Sequence, residues 1–289
     1  MSRPVTGLSV VRDPDPATFS DRVAGWLRGD PVRHNVICTL LAARLDGTPE
    51  WNARWLRVTD GEGAPRGVGI RIPPRGLLLS PMPAEAAATL ADALADALTD
   101  AEPLPAVDGP TGASRTFAQR YTARTGRAAT PGIGTRLYRL DTVTPPAGVP
   151  GRLREAGRHD RDLVVGWVDA FSRESVPDQP RIDAAEQVDQ RLRLGGLMWL
   201  WEDRGDPVSF LWLSVPVGGV VRVSAVYTPP ELRGRGYASA CVAGASARAL
   251  AAGADTCVLY TDRSNPTSNR IYQRIGYRPV DDSQEYRFS

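Results

Sequence analysis

The sequence predicts an α/β protein (α+β, with a mixed sheet) built as two copies of one unit, the first worn and the second complete. Three observations predict it. From about residue 155 onward, β-branched and aromatic runs alternate with segments whose apolar residues recur at helical spacing. The first half repeats parts of that order in a fixed register. One strand of the second half runs through a glycine-rich turn straight into an alanine-rich segment, the order strand, turn, helix.

In the first half, Trp55-Leu56-Arg57-Val58-Thr59-Asp60-Gly61 followed by Pro65 echoes Trp199-Leu200-Trp201-Glu202-Asp203-Arg204-Gly205 followed by Pro207. The helix expected from Ala84 matches the one expected from Ala238, and Ser114 matches Ser268, both pairs 154 positions apart. Two elements sharing one register are stronger than either alone. The copy is worn at two places: Leu79-Ser80-Pro81-Met82-Pro83 stands where the glycine turn belongs, and Ala118 where Tyr272 sits. A breaker-rich stretch, Thr142-Val143-Thr144-Pro145-Pro146-Ala147-Gly148-Val149-Pro150-Gly151, joins the halves and gives two expected domains, 1–145 and 151–289.

The second half reads as a series of elements. Leu163, Val164, Trp167 and Phe171 put a helix over Arg161 to Phe171, and a second helix is expected over Ile182 to Leu194. Leu197 to Trp201, Val208 to Leu213 and Val220 to Tyr227 are strands, the first two joined at Arg204-Gly205-Asp206. A helix from Ala238 to about Ala252 and a strand from Thr256 to Tyr260 follow. Pro266 suits the first turn of the next helix and Gly276 its left-handed end, and strand material at Tyr277 and Glu285 to Phe288 closes the chain.

Val226-Tyr227-Thr228-Pro229-Pro230-Glu231-Leu232-Arg233-Gly234-Arg235-Gly236-Tyr237 is the segment with chemistry in it. A strand that delivers glycines to a helix start gathers unpaired N–H groups at the positive end of the helix dipole, which is an anion site. Gly234 and Gly236 permit the tight turn, and Arg233 and Arg235 add charge. The Gly-Lys-Ser/Thr ending of a nucleotide loop is absent, as is the glycine spacing of a dinucleotide site. A pyrophosphate is the expected ligand.

Arg233-Gly234-Arg235-Gly236-Tyr237-Ala238 resembles the Arg/Gln-x-x-Gly-x-Gly/Ala signature of the GNAT acetyltransferase superfamily. Asn265, with Tyr272 seven positions on and then Gly276-Tyr277, resembles that family's second signature, in the family's order. Over the whole chain the arrangement is similar to two-domain bacterial members with a degenerate first domain ending in a motif like Arg136-Leu137-Tyr138-Arg139-Leu140. The resemblance implies a tandem GNAT fold and an acetyl-CoA-dependent N-acetyltransferase that moves acetyl directly to a primary amine. It implies a donor site of Val226, Tyr227, Thr228, Arg233, Gly234, Arg235, Gly236, Tyr237, Ala238, Asn265 and Ser268, with Asn265 on the pantetheine arm and backbone N–H at the end of the 220–227 strand polarising the carbonyl. Tyr272 would be the acid toward the leaving thiolate, and Glu174, chosen on position, the base. Asp178, Glu202 and Asp203 are further carboxylates near the expected site, and Glu231 is expected to face solvent. With nest, arginines and tyrosine all missing, the first half is expected not to bind coenzyme A. A non-catalytic CoA-binding protein, or a transferase using a longer acyl-CoA or an aminoacyl-tRNA, stays open beside this reading.

Composition sets the outer limits. The chain has 289 residues, 42% hydrophobic and 24% charged, enough for packed cores, and its formal charge of +2 argues against nucleic acid as a partner. No apolar run or leader-like start points to a membrane or export, so a cytoplasmic protein is expected. Cys38, Cys241 and Cys257 are scattered, as are His34 and His159, and no metal is expected. There is no lysine among the 35 basic residues, a bias like that of a high-GC bacterial genome. Trp167, Phe171, Met198, Trp199, Trp201, Phe210 and Trp212 sit at core spacing more than pocket spacing, so the acceptor is left as a small-molecule or peptide amine, with a homodimer allowed.

Overall fold

Ten elements occur twice in the same order in a computed structural model that describes residues 7–47, 52–97, 103–175, 183–194 and 197–289. The first series is β1 (Ser9–Asp13), α1 (Pro16–Arg28), α2 (Asn35–Leu45), β2 (Arg54–Thr59), β3 (Pro65–Arg71), β4 (Leu77–Leu79), α3 (Ala84–Ala97), β5 (Ala106–Asp108), α4 (Thr111–Thr125) and β6 (Ala129–Leu140). The second is β7 (Arg152–Glu155), α5 (Arg161–Ser175), α6 (Ala184–Leu194), β8 (Met198–Asp203), β9 (Asp206–Leu213), β10 (Val220–Tyr227), α7 (Tyr237–Ala251), β11 (Thr256–Asp262), α8 (Pro266–Ile275) and β12 (Arg278–Phe288). Ser114 lies in α4 as Ser268 lies in α8, so the register read from sequence is a register of elements.

The chain forms two compact units, 1–136 with 281–289, and 137–280. The cuts fall inside β6 and β12 and not in the proline-rich stretch at 141–151. In the first unit the strands run β1-β2-β3-β4-β5-β12, and β12 pairs antiparallel with β5 through Tyr286↔Val107 and Arg287↔Ala106. In the second they run β7-β8-β9-β10-β11-β6, with Thr256 Oγ1 donating to the Leu140 carbonyl of β6. Each unit therefore takes its sixth strand from the other repeat. Periodicity marks a strand but not its partner, because pairing is a long-range choice.

The first unit has a core on each side of its sheet. Leu90, Leu94, Phe117 and Phe288 pack on one side, and Phe19, Ile37, Trp55 and Ile70 on the other. Its β4–α3 connection is closed by its own side chains. The Ser80 Oγ accepts from the Val68 N–H and donates to the Pro81 carbonyl, and a Cβ on Gly67 would lie 2.6 Å from Met82. β4 and β5 stay together to the end, where a Cβ on Gly109 would meet Leu79 at 2.8 Å.

The second unit has the same two layers. Leu211, Leu213, Val221, Val223, Cys257 and Leu259 face α7, whose buried positions are small enough (Ala240, Ala243, Ala245, Ala249) to bring the helix close to the sheet. Met198, Leu200, Phe210 and Trp212 face α5 and α6 through Val164, Val168 and Val188. The β8–β9 hairpin turns at Arg204 (φ 55°) and Gly205 (φ 93°), both left-handed, as a two-residue turn matched to strand twist requires. The expected helix start at Ile182 lies outside the described residues.

Candidate active site

The site begins where β10 leaves the sheet. β10 pairs in parallel with β11 from Val220↔Thr256 to Val223↔Leu259 and then continues to Tyr227 without it. Against β9, β10 carries one extra residue between Ser224↔Trp212 and Tyr227↔Phe210. Ala225 takes that bulge at φ +50°, a left-handed conformation that costs a non-glycine residue about 1–2 kcal/mol. The bulge turns β10 away from β11 and opens a gap between two parallel strands, at the mouth of which α7 begins.

The connection to α7 is a built turn. Pro230–Leu232 forms one 3₁₀ turn, Gly234 (φ +78°) and Gly236 (φ +84°) are left-handed, and Gly236 is the N-cap of α7 with no side-chain cap. The N–H groups of the first turn of α7 are thus uncovered by any capping side chain, at the positive end of a 15-residue helix dipole. Open space surrounds Gly234, whereas a Cβ on Gly236 would lie 2.8 Å from Val149. Gly236 is required by its backbone conformation and by Val149 as well as by room for an anion.

The two arginines divide in role. Arg235 is exposed, with one long contact at 3.3 Å to the Glu231 carbonyl, and can turn toward an anion; Glu231 is exposed, as expected. Arg233 is a latch: Nε donates to the Thr228 carbonyl at 2.9 Å and Nη2 to Glu174 Oε2 at 2.6 Å, with its guanidinium 5.8 Å over the Tyr227 ring. The Tyr227 hydroxyl donates to Glu174 Oε1 at 3.4 Å, and burial, then the Glu174 charge, pushes that phenol above its ordinary range. Thr228 Oγ1 is 2.9 Å from Ser209 Oγ, which fixes the strand end. Val226 lies within the bulge. Tyr237 is buried with its hydroxyl donating to Asp203 at 2.7 Å, so only its backbone, with that of Ala238, faces the turn.

α8 supplies the other side. The Asn265 side-chain carbonyl caps the helix by accepting from the Ser268 N–H at 3.0 Å, which leaves its amide group for any other contact. Asn269 completes the anchor: Nδ2 donates to the carbonyls of Asp262 and Asn265, and Oδ1 accepts from the Tyr138 hydroxyl. Tyr272 packs half-buried against the α7 core, edge-on to Tyr277 with ring centroids 6.0 Å apart, and its hydroxyl has no hydrogen-bond partner among the described residues. Burial pushes its phenol up to about 12.

The other expected carboxylates are committed elsewhere. Glu202 takes Arg152 and Arg154, which hold its carboxyl below the usual range, and Asp203 takes Tyr237. Asp178 lies outside the described residues. Met198, Phe210 and Trp212 are buried in the α5/α6 layer, while Trp199 and Trp201 pack toward α7. Two cavities lie at the other end of α6, about 200 Å³ lined by Glu155, Arg158, Arg191 and Met198 among others, and about 290 Å³ around Arg158, Arg161, Asp189 and Arg193. Neither is lined by a residue of the turn.

A parallel pair parted by a bulge, with a glycine-rich turn leading to an uncapped helix in the gap, is the arrangement of the GNAT fold, here in its tandem form. Residues 163–277 match the model of the Acetyltransferase (GNAT) family. Similar solved structures include a GNAT-family acetyltransferase from Colwellia psychrerythraea (10% identity, 97% of this chain and 100% of that chain, TM-score 0.60). A GCN5-related N-acetyltransferase from Sphaerobacter thermophilus is also similar (17% identity, 97% and 95%, TM-score 0.64). So is a tandem GNAT protein from the clavulanic acid biosynthesis pathway (11% identity, 97% and 98%, TM-score 0.57). No curated protein matches the chain.

Proposed function

We propose that the second unit transfers an acetyl group from acetyl-CoA directly to a primary amine, and that the first unit binds no coenzyme A. The observation that carries the reading is the uncapped start of α7, reached through left-handed Gly234 and Gly236 beside the gap between β10 and β11. The residues fit the donor: first-turn N–H groups from Tyr237 and Ala238 onward and the exposed charge of Arg235 for pyrophosphate, the side-chain amide of Asn265 for the pantetheine arm, and N–H groups of the Val226 bulge toward the carbonyl.

The reaction forms a C–N bond and breaks a C–S bond, and the amine gives up a proton while the sulfur gains one. Glu174, though tied to Arg233 and Tyr227, keeps a second lone pair on each oxygen and is the base of the reading. A phenol held near 12 is a poorer acid than a thiol near 8.5, so Tyr272 acts as a hydrogen-bond donor that stabilises the departing thiolate, whose proton then comes from solvent. In the first unit, Met82 and Ser80 fill the turn and Ala118 is buried in the core, which supports its being idle toward the donor.

Calorimetric titration with acetyl-CoA tests both parts. One site per chain in the micromolar range is expected. Absence of binding would remove the donor assignment, and two sites per chain would remove the idle first unit.

A further inference from the structure

Tyr138 stands in the middle of Arg136-Leu137-Tyr138-Arg139-Leu140, in the last strand of the first repeat, and it belongs to the second unit. β6 lies beside β11, and Tyr138 is fully buried with Leu140, Ile275 and Tyr277 in the core that α7 and α8 cover. A tyrosine buried to that degree carries its hydroxyl inside, where it needs partners. It has two, both on α8: it donates to Asn269 Oδ1 at 2.8 Å and accepts from Gln273 Nε2 at 3.4 Å. Those two residues are four positions apart and share one face of the helix.

The hydroxyl decides which way the Asn269 amide points. Its Oδ1 is taken by Tyr138, and its Nδ2 donates to the carbonyls of Asp262, at 2.9 Å, and Asn265, at 2.7 Å. The flipped amide would set an oxygen against two carbonyl oxygens and an N–H group against the hydroxyl. Asp262 ends β11 and Asn265 caps α8, so this one side chain ties the strand end to the helix start. The Asn265 carbonyl also accepts from the Asn269 N–H at 3.2 Å, and its side-chain oxygen accepts from the Ser268 N–H at 3.0 Å. With both oxygens of Asn265 engaged, the plane of its side-chain amide is set. In the register that pairs Ser114 with Ser268, the first repeat has Thr111 at the place of Asn265 and Arg115 at that of Asn269, so the two amides are absent from it together.

We propose that Tyr138 is a positioning residue for the pantetheine arm of the donor: through Asn269 it fixes the start of α8, and with it the Asn265 amide that meets the arm. This rests on the donor reading of the turn and of α8. The first repeat, idle toward the donor in that reading, thereby has a part in the reaction, because its last strand supplies the hydroxyl.

Tyr138→Phe keeps the ring and removes the hydroxyl alone. Calorimetry compares two ligands, acetyl-CoA and phosphoadenosine diphosphate, which is the nucleotide and pyrophosphate of coenzyme A without the arm. Acetyl-CoA affinity is expected to fall about 10-fold in Tyr138→Phe, while phosphoadenosine diphosphate binds within about 2-fold of wild type. Asn265→Ser, which keeps a capping oxygen and loses the amide, is expected to give the same selective fall, and Tyr138→Phe added to it no further one. Asn269→Ala breaks the link at its other end and is expected to match Tyr138→Phe, which it replaces in the test if the phenylalanine variant does not fold. The proposal is overturned if acetyl-CoA binds Tyr138→Phe as it binds wild type, or if the Tyr138→Phe and Asn265→Ser effects add. It is overturned as well if both ligands weaken alike, which is what a general loosening of α8 would cause. A wild-type chain that binds neither ligand would remove the donor site itself, and this inference with it.

Discussion

At the scale of single residues, the site separates groups that hold the turn from groups left over for a ligand. Arg233 and Arg235 look alike in sequence and are both exposed, yet Arg233 is tied to Thr228 and Glu174 while Arg235 has a long contact to the Glu231 carbonyl. Arg235→Glu is therefore expected to lower acetyl-CoA affinity about 10-fold, since it reverses charge beside a helix N-terminus, with Tm unchanged; equal affinity in calorimetry would take Arg235 out of the site. Tyr272→Phe, which removes one hydrogen-bond donor to the thiolate, is expected to lower turnover about 10²–10³-fold with donor affinity unchanged. Because the Tyr272 phenol is raised, its proton is retained until pH approaches 12, so the wild-type rate should rise with pH as the amine deprotonates and show no loss from Tyr272 below that range. A pH–rate profile that falls near pH 10 would contradict the placement of Tyr272.

At the scale of elements, the bulge in β10 controls the opening. Ala225 combines a left-handed backbone, which a β-branched residue adopts only under strain, with a buried methyl. Ala225→Val is expected to cost about 2–3 kcal/mol in denaturant unfolding, from backbone strain and overpacking, and to weaken acetyl-CoA binding as the strand end shifts. An unchanged midpoint would mean that the bulge is not fixed by this residue. The turn, α7 and α8 were legible in sequence because glycine, proline and asparagine act locally: Gly236, Pro266, Asn265 and Gly276 stand at the helix ends that their chemistry predicts. The bulge was not legible, since Ala225 carries no signal of a positive φ.

At the scale of the whole molecule, the repeat was readable and the exchange of sixth strands was not. Ala84 with Ala238 and Ser114 with Ser268 gave the register, and α3 and α4 follow it as α7 and α8 do, but nothing in β6 or β12 names a partner strand. Separate expression of 1–145 and 151–289 is accordingly expected to give two insoluble or poorly folded pieces, each keeping a strand the other unit needs, and co-expression is expected to recover acetyl-CoA binding. A soluble 151–289 piece that binds acetyl-CoA with full affinity would show that the exchanged strand is dispensable there.

The placement of β12 also sets a timetable. The Phe288 side chain completes the aromatic group of Phe117 and Tyr121, and the Phe288 N–H closes on the Pro105 carbonyl, so the first unit stays one strand short until β12 has left the ribosome. At ordinary rates of synthesis that wait is about 7–30 s after β6 emerges. For that interval β5 presents a bare sheet edge, and nascent chains on neighbouring ribosomes carry the same edge and the same missing strand.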